Sequence, residues 1–177
     1  KRNDIQKFDL DGNIILKWGE HGIEDGQFNQ PKGITIDSNG IIYVADSKNH
    51  RIQTFTSDGE FLSSFGEYGF GDCKLKIPVD VAVYEDFIYV SDPGNYKIEK
   101  YALDGTCLES FDNRFGGSSV RPGGLTADLD GNVYFVDSVS YRVVKMSSEG
   151  RTLGQFGQVG MGDGKFLQPA DIVLDNR

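Results

Sequence analysis

Apolar residues in this chain come in short bursts, and polar turn signals separate them. Four consecutive bursts are "GITID" at 33–37, "IIYVAD" at 41–46, "RIQTF" at 51–55 and "EFLSSFG" at 60–66. Each is too short for an amphipathic helix and is rich in β-branched and aromatic residues. The segments between them, "DSNG" and "TSDGE", have hairpin-turn chemistry. The pattern therefore predicts four antiparallel strands, here called a to d. Period-two alternation is blurred: Ile34 and Ile36 share one face, whereas Phe61, Leu62 and Phe65 fall on both. A sheet packed against neighbours on both faces produces such blurring.

The same series returns along the chain. "KLKIPVDVAVYEDFIYVSDPGNYKIEKYALDGTCLESF" spans 74–111 and "SVRPGGLTADLDGNVYFVDSVSYRVVKMSSEGRTLGQFG" spans 119–157. "IQKFDLDGNIILKWG" near the start reads as strands c and d of a copy, and "GKFLQPADIVLDNR" at the end as the opening of another. Pro31, Pro78, Pro122 and Pro169 stand 47, 44 and 47 apart; Asp46, Asp92 and Asp137 stand 46 and 45 apart; Gly12, Gly59, Gly105 and Gly150 stand 47, 46 and 45 apart. Four-stranded units at such a period are propeller blades.

The unit "G-Q-F-x-x-P-x-G-I-x-x-D-x-x-G-x-I-Y-V-A-D-x-x-N-H-R-I-Q-x-F-x-x-D-G" closely resembles the NHL repeat. The resemblance covers essentially the whole chain. It is weakest at 112–125, where the Gln-Phe pair is lost from "DNRFGGSSVRPG". It implies an all-β propeller. The expected layout is strands c and d of one blade in 1–18, full blades in 19–66, 67–111 and 112–157, and the start of another in 158–177. That makes fifteen strands. NHL propellers typically have six blades, which would need roughly 280 residues at this period. The expectation is an incomplete propeller whose missing blades come from the rest of a longer chain or from another chain.

Composition narrows the function classes. With 38% hydrophobic residues the chain is a globular domain, and 23 glycines against 5 prolines suit many tight turns. A net charge of −9 argues against nucleic acid as a partner. No apolar run approaches the ~20 residues of a membrane helix. The two cysteines match no zinc spacing. Cys73 falls in a d–a loop and Cys107 just after a c–d turn, which places them at opposite ends of a strand about 17 Å long. That separation predicts two free thiols.

The polar motif "YVADSKNHRIQTF" at 43–55 has the residue types of a catalytic site, and the repeats test that reading. Asn49-His50-Arg51 aligns with Asn95-Tyr96-Lys97 and Ser140-Tyr141-Arg142. The cation recurs but the histidine does not, so the motif reads as a structural staple. The expected pairs across the b–c hairpin are Asp46 with Arg51, Asp92 with Lys97 and Asp137 with Arg142. "DLDGN" at 9–13 and 128–132 lacks the remaining ligands of a calcium loop and reads as a turn. His21 and His50 fall on one rim, but zinc usually takes three or four protein ligands. No nucleophile-elbow, P-loop or dinucleotide fingerprint occurs. No catalytic residue, metal site or cofactor is assigned.

The rim that carries d–a loops and b–c hairpins holds the least repetitive residues. Tyr68, Phe70, Arg114, Phe115, Arg121 and Met161 stand out there as binding anchors. The expected function is a non-catalytic scaffold that recognises a protein or small-ligand partner through this rim. The alternative is a metal-dependent lyase or hydrolase working in the central channel, which strand a lines and which Asp37, Asp128 and Asp175 would flank. The resemblance also includes a zinc-dependent lyase branch richer in histidine and an RNA-binding branch with basic upper faces. The style of "IYVADSKNHRIQ" leans toward an extracytoplasmic setting by resemblance alone.

Overall fold

The computed structural model describes residues 2–112 and 120–175. Strands β1 (Ile5–Phe8) and β2 (Ile14–Trp18) form a two-stranded antiparallel sheet. Three four-stranded antiparallel sheets follow, each in sequence order. The first holds β3 (Pro31–Ile36), β4 (Ile42–Asp46), β5 (Arg51–Phe55) and β6 (Phe61–Phe65). The second holds β7 (Asp80–Tyr84), β8 (Phe87–Asp92), β9 (Lys97–Ala102) and β10 (Cys107–Phe111). The third holds β11 (Pro122–Ala127), β12 (Val133–Asp137), β13 (Arg142–Met146) and β14 (Thr152–Phe156). We call these sheets blades I, II and III.

The up-and-down order and the packing of sheet against sheet define a β-propeller. The core lies between blades. Tyr43, Ala45 and Ile52 of blade I interdigitate with Val81, Ile88, Val90 and Tyr101 of blade II. Tyr89 and Ile98 of blade II pack with Leu125, Phe135 and Val144 of blade III. Strand b is therefore covered on both faces, and every residue of β4 is buried. The blurred strand d is not covered in this way: in β6 Phe61 and Phe65 are half-buried and Leu62 is exposed.

Strand a of each blade contacts that of the next, β3 against β7 and β7 against β11. The Gly33 N–H donates to the Val79 carbonyl (3.0 Å) and the Gly124 N–H to the Ala170 carbonyl (2.9 Å), so the inner strands are linked along their backbones. The segment 170–175 occupies the place of a fifteenth strand but forms no ladder. In the three blades strand a pairs with strand b, and no strand b follows 170–175 among the described residues.

The recurring glycines act at the c–d turns. Gly12, Gly59, Gly105 and Gly150 have φ between +78° and +85°, a backbone region that a side chain disfavours. At the other end of each blade the b–c hairpin also passes through the left-handed region, at His50 (φ 59°), Tyr96 (60°) and Tyr141 (55°). The histidine thus occupies a backbone position shared by all three blades.

The cysteines require a correction. Cys73 and Cys107 form a disulfide, with Cα atoms 5.7 Å apart. Two features defeat the expected separation. The 67–78 loop folds down onto the sheet, where the Cys73 N–H donates to Ser110 Oγ (2.9 Å) and Glu99 Oε2 (3.4 Å). In β10 the register also shifts between Cys107 and Glu109. Cys107 and Ser110 are three residues apart and would face opposite sides of a regular strand, but a one-residue bulge returns them to one side. Both cysteines and Glu99 then meet on the same face.

Candidate functional site

Among the described residues three d–a loops are small lobes pinned by their own backbone. In the first, the Phe28 N–H donates to the Glu20 carbonyl (2.8 Å) and Gly22 to Phe28 (3.1 Å). In the second, Leu75 donates to Glu67 (2.9 Å) and Gly69 to Leu75 (3.3 Å). In the loop after β14, Phe166 donates to Gln158 (2.9 Å) and Gly160 to Phe166 (3.1 Å). Phe28 and Leu75 are fully buried plugs under their loops. Each lobe then turns one apolar side chain outward at the same place: Ile23 (72% exposed), Phe70 (68%) and Met161 (90%). Water-exposed apolar residues at repeated, rigidly held positions are suited to contact.

The b–c hairpins lock onto these lobes. Asn49 Nδ2 donates to the Gly22 carbonyl (2.8 Å), and Asn95 Nδ2 to the carbonyls of Gly69 (3.0 Å) and Lys74 (2.9 Å). Beneath them, Asp46 is fully buried. Its Oδ1 accepts from the Asn29 N–H (2.7 Å), and its Oδ2 from Arg51 Nε (3.0 Å), Asn49 Nδ2 (2.8 Å) and Gln53 Nε2 (3.0 Å). Asp137 likewise meets Arg142 Nε at 3.1 Å. Blade II departs from this scheme. Asp92 accepts from the backbone N–H groups of Lys76, Ile77 and Gly94 (2.7, 2.9 and 3.1 Å). Lys97, opposite Asp92 in register, sends its ammonium to Asp72 instead (2.6 Å).

Of the rim residues singled out by sequence, the structure brings Tyr68 and Phe70 together, with ring centroids 5.9 Å apart. His50 of blade I stacks on Tyr68 (4.7 Å), and Lys76 lies 4.5 Å over the Phe70 ring. His50 Nδ1 meets the Lys76 carbonyl. A carbonyl only accepts, so Nδ1 carries the proton in that contact. A cleft of about 360 Å³ beside this cluster is lined by Phe70, Lys76, Asn95, Tyr96 and Lys97 among others. Arg121 is exposed just before β11, and Met161 stands on the lobe after β14, each at its own blade's rim. Arg114 and Phe115 lie outside the described residues. Ile23, Lys76 and Tyr96 were not singled out as rim anchors by sequence; aligning the lobe tips finds Ile23.

The inner strands hold a second cleft, of about 380 Å³, lined by Lys32, Gly33, Val79, Asp80, Gly123, Gly124, Ala170 and Asp171. Burial pushes the Asp80 carboxyl up to about 6, with Asp171 adding repulsion, although the Leu125 N–H donates to it (2.8 Å). Asp37 and Asp128, the expected channel carboxylates, cap a–b turns. Asp37 Oδ1 accepts from the N–H groups of Asn39 and Ile41, both at 2.9 Å. Asp128 takes the same turn role through Asp130 and Asn132 (3.0 and 2.8 Å). Burial works against the Asp128 anion, but bonds from Asn132 and Lys145 outweigh it and lower its pKa to about 2. Asp175 lies in the unladdered segment 170–175.

Fold and rim together define a β-propeller in which blades I and III share one hairpin staple and the three described loop lobes share one geometry. The chain belongs to the NHL-repeat family: residues 28–55 match the NHL repeat. It is 35% identical over 145 residues to Protein brain tumor of Drosophila melanogaster, an alignment covering 80% of this chain and 14% of that protein. It is 50% identical over 36 residues to the B-box type zinc finger protein ncl-1 of Caenorhabditis elegans, covering 20% of this chain and 4% of that one. The chain thus spans a small part of these relatives. Among solved structures it resembles a catalytically inactive virginiamycin B lyase from Staphylococcus aureus with quinupristin, with a TM-score of 0.70 and 18% identity over 96% of this chain and 52% of that one. A nidogen/laminin complex gives a TM-score of 0.66 and 17% identity, over 88% of this chain and 56% of that one. These structural likenesses establish the fold. Among the described residues no helix is long and apolar enough to cross a membrane.

Proposed function

We propose that this chain is a recognition scaffold that binds a protein partner through the rim formed by the d–a lobes and b–c hairpins. One observation carries the reading. Three lobes of the same pinned geometry present an exposed apolar tip at the same place, Ile23, Phe70 and Met161. Holding these tips in advance reduces the ordering cost of binding. The aromatic cluster of Tyr68, Phe70 and His50, with Lys76 over one ring, supplies the anchor types favoured in interface centres. The nidogen/laminin structure shows the same fold within a protein–protein complex.

The test is a photo-crosslinking amino acid placed at Phe70, with Leu10 on the opposite rim as control. A discrete adduct from position 70, lost when Tyr68→Ala is added, is expected. Equal adducts from both positions, or an adduct indifferent to Tyr68, would overturn the reading.

A second reading, a metal-dependent lyase or hydrolase in the central cleft, is favoured by the raised Asp80 carboxyl facing the same cleft as Asp171. Metal analysis of air-oxidised protein decides it. A stoichiometric ion lost in Asp80→Asn would favour the enzyme; none would leave the scaffold.

A further inference from the structure

Glu99 is a fully buried carboxyl on β9, beneath the 67–78 lobe. Its Oε2 accepts from Ser110 Oγ and, at 3.4 Å, from the Cys73 N–H. Its Oε1 is buried without a partner. The Cys73 and Cys107 sulfurs and a Glu99 oxygen all lie within 4.8 Å of one another.

The other blades show that the architecture does not require this arrangement. Gln53 holds the same place in blade I and is satisfied at both ends: its Oε1 accepts from the Gly26 N–H (2.9 Å), and its Nε2 donates to the Gln27 carbonyl (2.7 Å) and to Asp46. Val144 holds the place in blade III. Cys73 also departs from its counterparts. It adopts φ 64° where the matching lobe positions are Gly26 (78°) and Gly164 (69°). A disulfide alone accounts for the two cysteines. It gives no reason to bury a carboxyl with an unmet oxygen against them, at the place where blade I has a fully bonded glutamine.

We propose that Cys73, Cys107 and Glu99 form a redox-gated site for a thiophilic divalent cation of the Zn²⁺ class, closed as the disulfide and opened by reduction. In the closed state the sulfurs are bonded to each other and offer no thiolate. A trialkylphosphine opens the bond: the disulfide takes two electrons from phosphorus, water supplies two protons and the oxygen of the phosphine oxide, and two thiols result. A cation then displaces both thiol protons and meets two thiolates and the carboxylate, a donor set zinc accepts. Ligand atoms around tetrahedral zinc sit about 3.7 Å apart, which the existing cluster reaches by separating the two sulfurs. This inference is independent of the rim reading.

The probe is Co²⁺, then Zn²⁺, added to the full chain in oxidised and phosphine-reduced form. The reduced chain is expected to bind one Co²⁺ with the absorption of a tetrahedral thiolate complex, and the oxidised chain none. Glu99→Gln is expected to weaken binding at least tenfold, and Cys73→Ser to abolish the thiolate band. Binding to the oxidised chain, no binding to the reduced chain, or a Glu99→Gln variant that binds as tightly as the parent would each overturn the proposal. If reduction unfolds the chain, Zn²⁺ must restore the thermal transition; failure to restore it overturns the proposal as well.

Discussion

Blades I and II are built on one backbone plan and differ in how they satisfy their buried polar groups. In blade I a single carboxylate, Asp46, gathers Asn29, Asn49, Arg51 and Gln53 into a network that leaves no buried side-chain atom of these partners unmet. In blade II the corresponding Asp92 holds only backbone, Lys97 is drawn to the rim, and Ser91 Oγ, Glu99 Oε1 and Tyr101 OH are buried without partners. A recurring group serves the architecture that every blade needs. A group that departs from the plan, at some energetic cost, points to something specific to its blade.

The comparison is broken most severely at its hub. Asp46→Ala would take one acceptor from the half-buried Arg51 guanidinium and one from each of three further donors, and a loss of about 3–5 kcal/mol is expected. Asp92→Ala strips three backbone N–H groups but takes no acceptor from a cation, so it should cost less. Urea unfolding of both variants measures the difference; equal losses would show that the Asp46 network is no stronger than the backbone cap.

The next contrast lies at the inner strands, where Gly33 of blade I faces Asp80 of blade II. A Cβ on Gly33 would stand 2.1 Å from Asp80 Oδ1, so the glycine makes room for the acid. Asp80 is raised from 3.8 to about 6 in the folded chain. The folded state therefore holds this proton more tightly than the unfolded state. Its stabilising contribution is complete below pH 4, falls as pH rises from about 4 to 6, and stays lost above. The linked change is on the order of 2–3 kcal/mol. Asp80→Asn should remove that slope and be the more stable protein at pH 7. Thermal melts across the pH range test this, and an unchanged slope in the variant would reject it.

A smaller effect tests the polar plan directly. Gln53→Glu gives blade I the residue of blade II. Its second carboxylate oxygen would face two acceptors, the Gln27 carbonyl and Asp46 Oδ2, in place of the amide that now donates to both. A loss of about 2 kcal/mol at neutral pH is expected. A neutral result would mean that the lobe relaxes around either residue, and that Glu99 needs no special explanation.

Much of this was legible in the residues. The spacing of Pro31, Pro78, Pro122 and Pro169 marks the blades, and the hairpin glycines mark the turns. His50, Tyr96 and Tyr141 align in the sequence, and all three take the same left-handed backbone at the b–c hairpin. The disulfide was not legible. It depends on a one-residue bulge and on a loop folding onto the sheet, and neither leaves a mark in periodicity. The Lys97–Asp72 contact was missed for a related reason. Arg51 serves both places, with its Nε–H on Asp46 and its Nη1 3.6 Å from Asp25, the lobe counterpart of Asp72, whereas the single ammonium of Lys97 goes to the lobe acid alone. Asp80 and Asp171 escaped because the candidate channel acids were sought at strand ends, where turns claim them.

The smallest effect on stability falls at the rim, where it separates architecture from recognition most cleanly. Ile23 and Phe70 stand at matching lobe tips, both largely exposed, above the buried plugs Phe28 and Leu75. Removing a tip side chain leaves the pinning backbone bonds and the plug untouched. Phe70→Ala and Ile23→Ala should therefore each shift stability by no more than about 0.5 kcal/mol. Phe70 differs in company: it touches Tyr68 and lies under Lys76, and through Tyr68 the cluster reaches His50 of the neighbouring blade. Loss of partner adducts from a crosslinker at position 68 should therefore be greater in Phe70→Ala than in Ile23→Ala. The reverse order, with both variants equally stable, would move the recognition centre from the junction of blades I and II to the outer lobe of blade I.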